Sequence, residues 1–208
     1  QTFGYVSDGL FKDEADIATS PDQSALGEVR PGDIRYKDLN NDGVIDSKDV
    51  KAIGYTDVPE IVYGFGVSAQ WKGFDVSVFF QGNDHVSFSI NSSMVRGFTE
   101  PKMAANNVFS DIYGNYWTES NTDAKYPRLT TTEATNNNQS SDFWLVNGRY
   151  LRLKNAEFGY TFPKKLIQKI RLSQLRIFVS GTNLLTFAPF KLWDPDLQTG
   201  ASNYPNTR

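Results

Sequence analysis

Apolar and polar residues alternate strictly along residues 61–83. Every second residue from Tyr63 to Trp71 is apolar, and glycine, serine and glutamine occupy the positions between them. The alternation restarts at Phe74 after a Lys-Gly dipeptide, which favours a tight turn because glycine adopts positive φ at little cost. Since side chains alternate between the two faces of a strand, the pattern predicts a β-hairpin with one apolar face.

A second pair of strands is predicted over residues 148–186 by the same alternation. The first strand ends at Pro163, and the second follows a short connector whose apolar residues have helical spacing. Along the first strand, the apolar residues change parity between Leu153 and Ala156. A β-bulge allows such a change, because it inserts one extra residue into a strand.

Three long segments, residues 1–60, 84–147 and 187–208, lack a regular period and are predicted to be loops. The polar tract Asn136–Asn138 is expected to be exposed. Long strands with short links at one end and long loops at the other are typical of a transmembrane β-barrel, although a soluble β-sandwich shows similar alternation. The smallest such barrels have about eight strands. The predicted fold class is therefore all-β, and these strands form only a portion of a barrel.

Composition removes several classes of function. The 208 residues include no cysteine and one histidine, His85, which excludes a disulfide framework, a thiolate metal site and a multi-histidine metal centre. The net charge of −3 offers no broad basic face, so no nucleic-acid partner is predicted. Nothing resembles a catalytic set, and no enzymatic activity is predicted.

Several motifs, taken in order, resemble those of the SusC/RagA-type TonB-dependent outer-membrane transporters. The resemblance covers essentially the whole chain, and the ordered set is more specific than any single motif. The motifs are GDIRYKDLNNDGVID at 32–46, PEIVYGFG at 59–66, WKGFD at 71–75, FFQG at 79–82, YPRL at 126–129, YLRLKN at 150–155, GYTFP at 159–163, VSGTNLLT at 179–186 and DPD at 194–196.

The resemblance implies the C-terminal portion of an antiparallel transmembrane β-barrel of about 22 strands. Residues 61–83 would form one barrel hairpin, and residues 148–186 a strand pair with a short periplasmic connector. The long segments would be extracellular loops, and a closing strand is expected after Arg208.

The same resemblance implies a location in the bacterial outer membrane, in contact with its lipid. It implies uptake of glycans or peptides together with a SusD-like surface lipoprotein. Energy would come from the TonB complex, through parts of such a transporter that this segment lacks.

The loop 38–49 carries oxygen-bearing residues at the spacing of a calcium-binding loop. Its position 6 is glycine, which permits a sharp turn, and Ile45 at position 8 is expected to anchor the loop in apolar surroundings. An alternative is an Asx-rich turn that caps a short helix at 46–51. The predicted Ca²⁺ ligands are Asp38, Asn40, Asp42, Val44 through its carbonyl, Asp46 and Asp49.

Aromatic residues of the long loops form a second candidate site. Such rings stack on sugars, and they equally pack loops together or contact a protein partner. The sequence leaves both roles open. The candidates for ligand contact are Tyr116, Trp117, Trp144 and Trp193.

A competing hypothesis is a secreted, calcium-stabilised β-domain that binds carbohydrate. Solubility separates the two, because a barrel segment has an apolar outer face that requires lipid, detergent or neighbouring strands, whereas a sandwich does not.

Overall fold

Strands dominate the computed structural model, which describes residues 2–91, 93–96 and 108–197. They are numbered along the chain as β1 Thr2–Gly4, β2 Ser7–Leu10, β3 Ile34–Tyr36, β4 Lys51–Ile53, β5 Ile61–Trp71, β6 Phe74–Asp84, β7 Ser87–Ser89, β8 Leu145–Asn147, β9 Tyr150–Thr161 and β10 Arg176–Phe187. The four long strands form one antiparallel sheet in the order β5-β6-β9-β10, and the short ones form the pairs β1-β4, β2-β3 and β7-β8. The all-β class is confirmed, and the described residues do not close into a barrel.

The long sheet has one continuous apolar face. Its rows run across all four strands through hydrogen-bonded neighbours, so that Val67 lies opposite Val78, which in turn lies opposite Ala156. Large apolar side chains on this face are exposed to solvent in the chain. They are Tyr63, Phe65, Val67, Trp71, Phe74, Val76, Phe158, Ile177, Val179, Leu185 and Phe187. The predicted hairpin and its apolar face are confirmed.

The opposite face of the sheet is mostly polar. A row through its middle contains Ser68, Ser77, Glu157 and Ser180. Alternation along each strand thus separates the two faces over the whole sheet.

Strand β9 contains the predicted bulge. Its pairing with β6 passes from Asn155 directly to Leu153, so Lys154 has no partner there. The register with β10 shifts at the same place. The extra residue brings the apolar residues of both halves of β9 onto one face, although their parity along the sequence differs.

All long segments leave the sheet from one end, and the short connections lie at the other. The register shows this, because Ile61 pairs with Asp84, whereas Trp71 pairs with Phe74 across a tight turn. Gly73 in that turn has φ +91°, which a residue with a side chain rarely adopts.

The connector after β9 lies beside this turn. The carbonyl of Gly73 accepts a hydrogen bond of 2.7 Å from the Thr161 amide, at the end of β9. The chain then forms a short helix, Lys164–Ile167, and a 3-10 turn, Gln168–Ile170, as the helical spacing predicts.

The long segments pack together, although the sequence indicated only irregular loops. We call residues 2–57, 86–91, 93–96, 108–147 and 188–197 the loop cluster. Besides its short strands it contains α-helices at Glu14–Thr19 and Ser93–Arg96, and 3-10 turns at Ser24–Leu26, Ser47–Asp49, Thr135–Asn138, Asp142–Trp144 and Pro195–Leu197. Its buried core comprises Tyr5, Leu10, Ile34, Tyr36, Ile45, Phe88, Ile90, Val95, Ile112, Tyr126, Trp144 and Phe190. The hydrophobic core therefore lies in the loop cluster and not on the long sheet.

The expectation that Asn136–Asn138 would be exposed was wrong for its first two residues. Asn136 is fully buried and Asn137 is 4% exposed. Their side-chain amides bond to the backbone of the 33–36 segment, since Asn137 Oδ1 accepts from the Ile34 amide at 2.8 Å and Asn136 Nδ2 donates to the Ile34 carbonyl at 2.9 Å. A polar tract that reads locally as surface is buried because its hydrogen bonds are satisfied about a hundred residues away along the chain.

Within residues 2–91, 93–96 and 108–197, no helix combines the length and the apolar character needed to cross a membrane.

Candidate functional site

Hydrogen bonds from its own backbone curl the acidic loop 38–49. Both carboxylate oxygens of Asp38 accept from loop amides, those of Asn41 at 2.6 Å and Gly43 at 2.8 Å. Asp42 accepts from the Val44 amide at 3.0 Å, and this bond and that from the Asn40 side chain hold the pKa of Asp42 below its usual value. Asp42 is thus charged at neutral pH.

The second half of the loop is a helix cap. Asp46 caps the turn Ser47–Asp49, and Asp49 in return accepts from the Asp46 amide at 2.9 Å. Asp49 is fully buried, and its other oxygen accepts from the Leu39 amide at 2.8 Å. The capping alternative is therefore present, although the helix is shorter than 46–51. Ile45 is fully buried, as expected for the anchor of the loop.

The calcium site stays a prediction. Within the described part of the chain, no group of three or more histidine or acidic side chains is gathered closely enough to hold a metal ion. The donor chemistry nevertheless fits, because a carboxylate oxygen that accepts an N–H retains a second lone pair for a cation. Lys48, at 3.2 Å from Asp46 and 3.5 Å from Asp42, supplies positive charge to the loop.

We expect Asp42→Ala to abolish calcium binding at this loop. The unchanged protein should bind Ca²⁺ with a dissociation constant of about 10⁻⁴–10⁻³ M, the range of extracellular calcium modules. Isothermal titration calorimetry measures the heat of calcium binding, and hydrogen exchange of the Gly43 and Val44 amides shows whether binding occurs at this loop. Asp123→Ala removes an exposed carboxylate outside the loop and serves as the control. Absence of calcium-dependent heat in the unchanged protein would show that the loop is only a capped turn and binds no calcium.

The four candidate aromatic residues lie in the loop cluster and contact its core. Trp144 is 2% exposed, and its indole N–H donates to the Asn137 carbonyl at 2.7 Å. Tyr116, Trp117 and Trp193 are partly buried and pack against the same core. A ligand therefore meets no free ring at Trp144 without displacing the core, and contacts by the other three stay a prediction.

An open cleft of about 400 Å³ lies elsewhere in the loop cluster. None of the four candidate aromatic residues lines it. Lys125 Nζ and the Tyr126 hydroxyl both bond to Asp111 in its wall, at 3.2 and 3.0 Å, and together they lower the pKa of that carboxyl. The wall also contains Phe143, Phe190 and Lys191. Nothing in the sequence indicated this cleft, because its lining residues come from segments that lie far apart along the chain.

The polar face of the sheet carries two groups of paired charges. Near the short turns, Arg176 bonds to Asp75, and its Nη2 lies 2.6 Å from Glu157 Oε1. Gly159 lies under this cluster, since a Cβ there would be 2.5 Å from the guanidinium. The pairing of these charges joins residues on three strands and could not be read from the sequence.

At the end of the sheet nearest the loop cluster, Arg152 is buried against two carboxylates. It bonds to Asp194, to Asp196 at 2.5 Å and to the Thr186 hydroxyl at 3.0 Å. Its side chain is 5% exposed. The DPD motif thus fastens residues 194–196 to strand β9.

Comparison with known proteins identifies the class. No protein-family model matches the chain. It is 30% identical over 209 residues to TonB-dependent receptor P3 of Formosa agariphila, covering 98% of this chain and 19% of that protein. It is 27% identical over 179 residues to TonB-dependent receptor SusC of Bacteroides thetaiotaomicron, covering 85% of this chain and 17% of SusC.

Solved structures show the same fold. The RagAB peptide importer in its open-open state matches with a TM-score of 0.66 at 21% identity, over 94% of this chain and 20% of that chain. The chain spans about a fifth of the length of the relatives it matches.

Over nearly its whole length the chain is thus similar to one part of the TonB-dependent receptors. More narrowly, the relatives include SusC and the solved structures of this fold include RagAB, so the resemblance that the motifs predicted is confirmed. TonB-dependent receptors such as SusC and RagA are outer-membrane proteins of Gram-negative bacteria, and the predicted location is confirmed.

Proposed function

We propose that this chain forms part of the wall and the extracellular loops of an outer-membrane barrel that imports glycans or peptides. The observation that carries the proposal is the long sheet, because its exposed apolar face is continuous across four strands while its other face is polar. Lipid on one side and a wet interior on the other require this arrangement. A secreted carbohydrate-binding domain is not favoured, since its sheet would leave this face in water.

The transported substrate would be captured on the side of the loop cluster. A SusD-like lipoprotein would cover that side, and the TonB complex would supply energy through other parts of the longer receptor. The relatives are receptors and transporters. Because the chain matches a peptide importer, we propose peptides as well as glycans as the transported substrate.

Uptake by intact cells tests this proposal. Cells lacking the full-length receptor should lose import of one labelled substrate class, glycan oligomers or peptides, and regain it on complementation. Loss of neither class would contradict the proposal, and loss of one class identifies the substrate.

The orientation of the sheet is testable by labelling. We expect a cysteine at Tyr113 in a cysteine-free receptor to react with an impermeant maleimide on intact cells, because this side chain is 76% exposed in the loop cluster. A cysteine at Lys72, in the short turn, should react only after the outer membrane is permeabilised, since short turns of such barrels face the periplasm. The opposite preference would contradict the proposed topology.

The lipid-facing role of the apolar face predicts a difference between adjacent residues. Val67→Arg should destabilise the full-length receptor by about 2–4 kcal/mol, the cost of arginine at the middle of a bilayer. Ser68→Arg, on the polar face of the same strand, should cost much less. Urea titration of the receptor in lipid vesicles measures both.

The partner strand provides an independent comparison. Val78 pairs with Val67, and Ser77 pairs with Ser68, so Val78→Arg and Ser77→Arg should repeat the difference. Equal losses on the two faces would indicate that the sheet does not border lipid.

A further inference from the structure

The connector between β9 and β10 is basic and has apolar side chains on its surface. Lys164, Lys165, Lys169 and Arg171 fall within it, and no acidic residue occurs between 162 and 175. Ile167 is 2% exposed and fixes one side of the connector against the protein. Leu166 and Ile170, four residues apart on the helical turns, are 57% and 62% exposed on the surface.

These cations have no carboxylate partner in the described parts of the chain. The ion pairs there involve other basic residues, among them Arg152 and Arg176. Exposure of Leu166 and Ile170 to water brings no gain in stability, yet both side chains stay exposed beside three lysines. A binding partner with an apolar layer beneath an anionic surface would cover the two apolar side chains and also pair with the lysines.

The neighbouring edge of the sheet is aromatic. Trp71 is 68% exposed and lies under the ammonium group of Lys72, which is 4.7 Å from its ring. Phe74 is exposed and packs against Tyr160 with the two rings tilted, their ring centroids 4.6 Å apart. Tryptophan and tyrosine concentrate at membrane–water interfaces, so this edge has the composition of an interfacial belt.

We propose that the connector Pro163–Leu172 is an interfacial anchor that binds anionic phospholipid headgroups. Leu166 and Ile170 enter the boundary between headgroups and acyl chains, and Lys164, Lys165 and Lys169 bind the phosphates. Amphipathic segments of this composition bind membrane surfaces through buried apolar area together with electrostatic attraction. The proposal rests on the barrel proposed above, which places this edge of the sheet at a bilayer surface.

Charge complementarity selects the lipid. A zwitterionic headgroup such as phosphatidylcholine carries no net charge, whereas phosphatidylglycerol is anionic. Three lysines without carboxylate partners in the described chain therefore favour phosphatidylglycerol.

Lipid retention by the full-length receptor tests the anchor. The receptor is reconstituted in vesicles of equal phosphatidylcholine and phosphatidylglycerol, extracted in mild detergent, and its bound lipids are counted by mass spectrometry. The combined variant K164Q, K165Q and K169Q should lower the enrichment of phosphatidylglycerol by at least about fivefold. The control variant K12Q, K51Q and K191Q, which removes three exposed lysines of the loop cluster, should retain it.

Two further measurements protect the test against a folding defect. Assembly of each variant is checked by its resistance to unfolding in detergent without heating. In the unchanged receptor, the enrichment should fall as salt rises, because the attraction is screened. Enrichment that neither salt nor the connector variant lowers would overturn the anchor while leaving the barrel intact. Failure of the barrel would instead appear as equal losses for Val67→Arg and Ser68→Arg.

Discussion

Asp33→Ala should destabilise the loop cluster by about 3–5 kcal/mol, the usual cost of removing one partner of a buried ion pair. Asp33 is fully buried and accepts from Arg128 Nε at 2.7 Å and Nη2 at 3.2 Å. It also accepts from the Asn137 side chain at 2.8 Å and the Arg30 amide at 2.9 Å. The variant would leave these donors without an acceptor, and the Arg128 charge without its counter-charge.

Hydrogen exchange on the full-length receptor measures this effect locally. The Ile34 amide bonds to Asn137, so its exchange should accelerate by more than about a hundredfold, while amides of the long sheet stay protected. Asp8→Ala is the matched control, because Asp8 pairs with Arg35 at 3.0 Å but is 47% exposed. Its loss should cost at most about 1 kcal/mol. Equal acceleration of exchange in both variants would show that burial of the Asp33 network contributes nothing to the stability of the loop cluster.

Arg152→Ala should release residues 194–196 from the sheet and cost about 3 kcal/mol, the low end for a buried pair. The lower value applies because Asp194 and Asp196 are 29% and 38% exposed and can be rehydrated once Arg152 is gone. The Leu197 amide, which donates to the Asp194 carbonyl at 3.0 Å, is the reporter of this turn in hydrogen exchange.

Two variants separate charge from geometry at this position. Arg152→Lys keeps the charge but cannot bond to two carboxylates and a hydroxyl at once, so it should recover only part of the protection. Arg149→Ala removes an exposed arginine just before β9 and should leave the turn unchanged. A turn that stays protected in Arg152→Ala would show that other contacts hold it.

The long strands could be predicted from the sequence because their information is local. Alternation from Tyr63 to Trp71 specifies both strand and face, and the parity change before Ala156 located the bulge. The cap at Asp46 and the buried Ile45 also follow from neighbours within a few residues.

The loop cluster could not be predicted, because its contacts join distant segments. Asp33 meets Arg128 and Asn137 across 95 and 104 residues, and nothing near either residue indicates the other. Trp144 illustrates the same limit. A tryptophan side chain suits ligand stacking or core packing equally. Only the hydrogen bond from its N–H to the Asn137 carbonyl assigns it to the core.

The unpaired Lys154 defines where strand β9 can change its length. Deleting it would join Leu153 to Asn155 and restore regular pairing with β6 without turning any side chain to the other face, while the register shift against β10 would remain. A deletion or insertion elsewhere in β9 would rotate part of the strand by one position, bringing Arg152 onto the apolar face or Phe158 onto the polar face. Among the positions of this strand, single-residue length variation is therefore compatible with both faces only at the bulge.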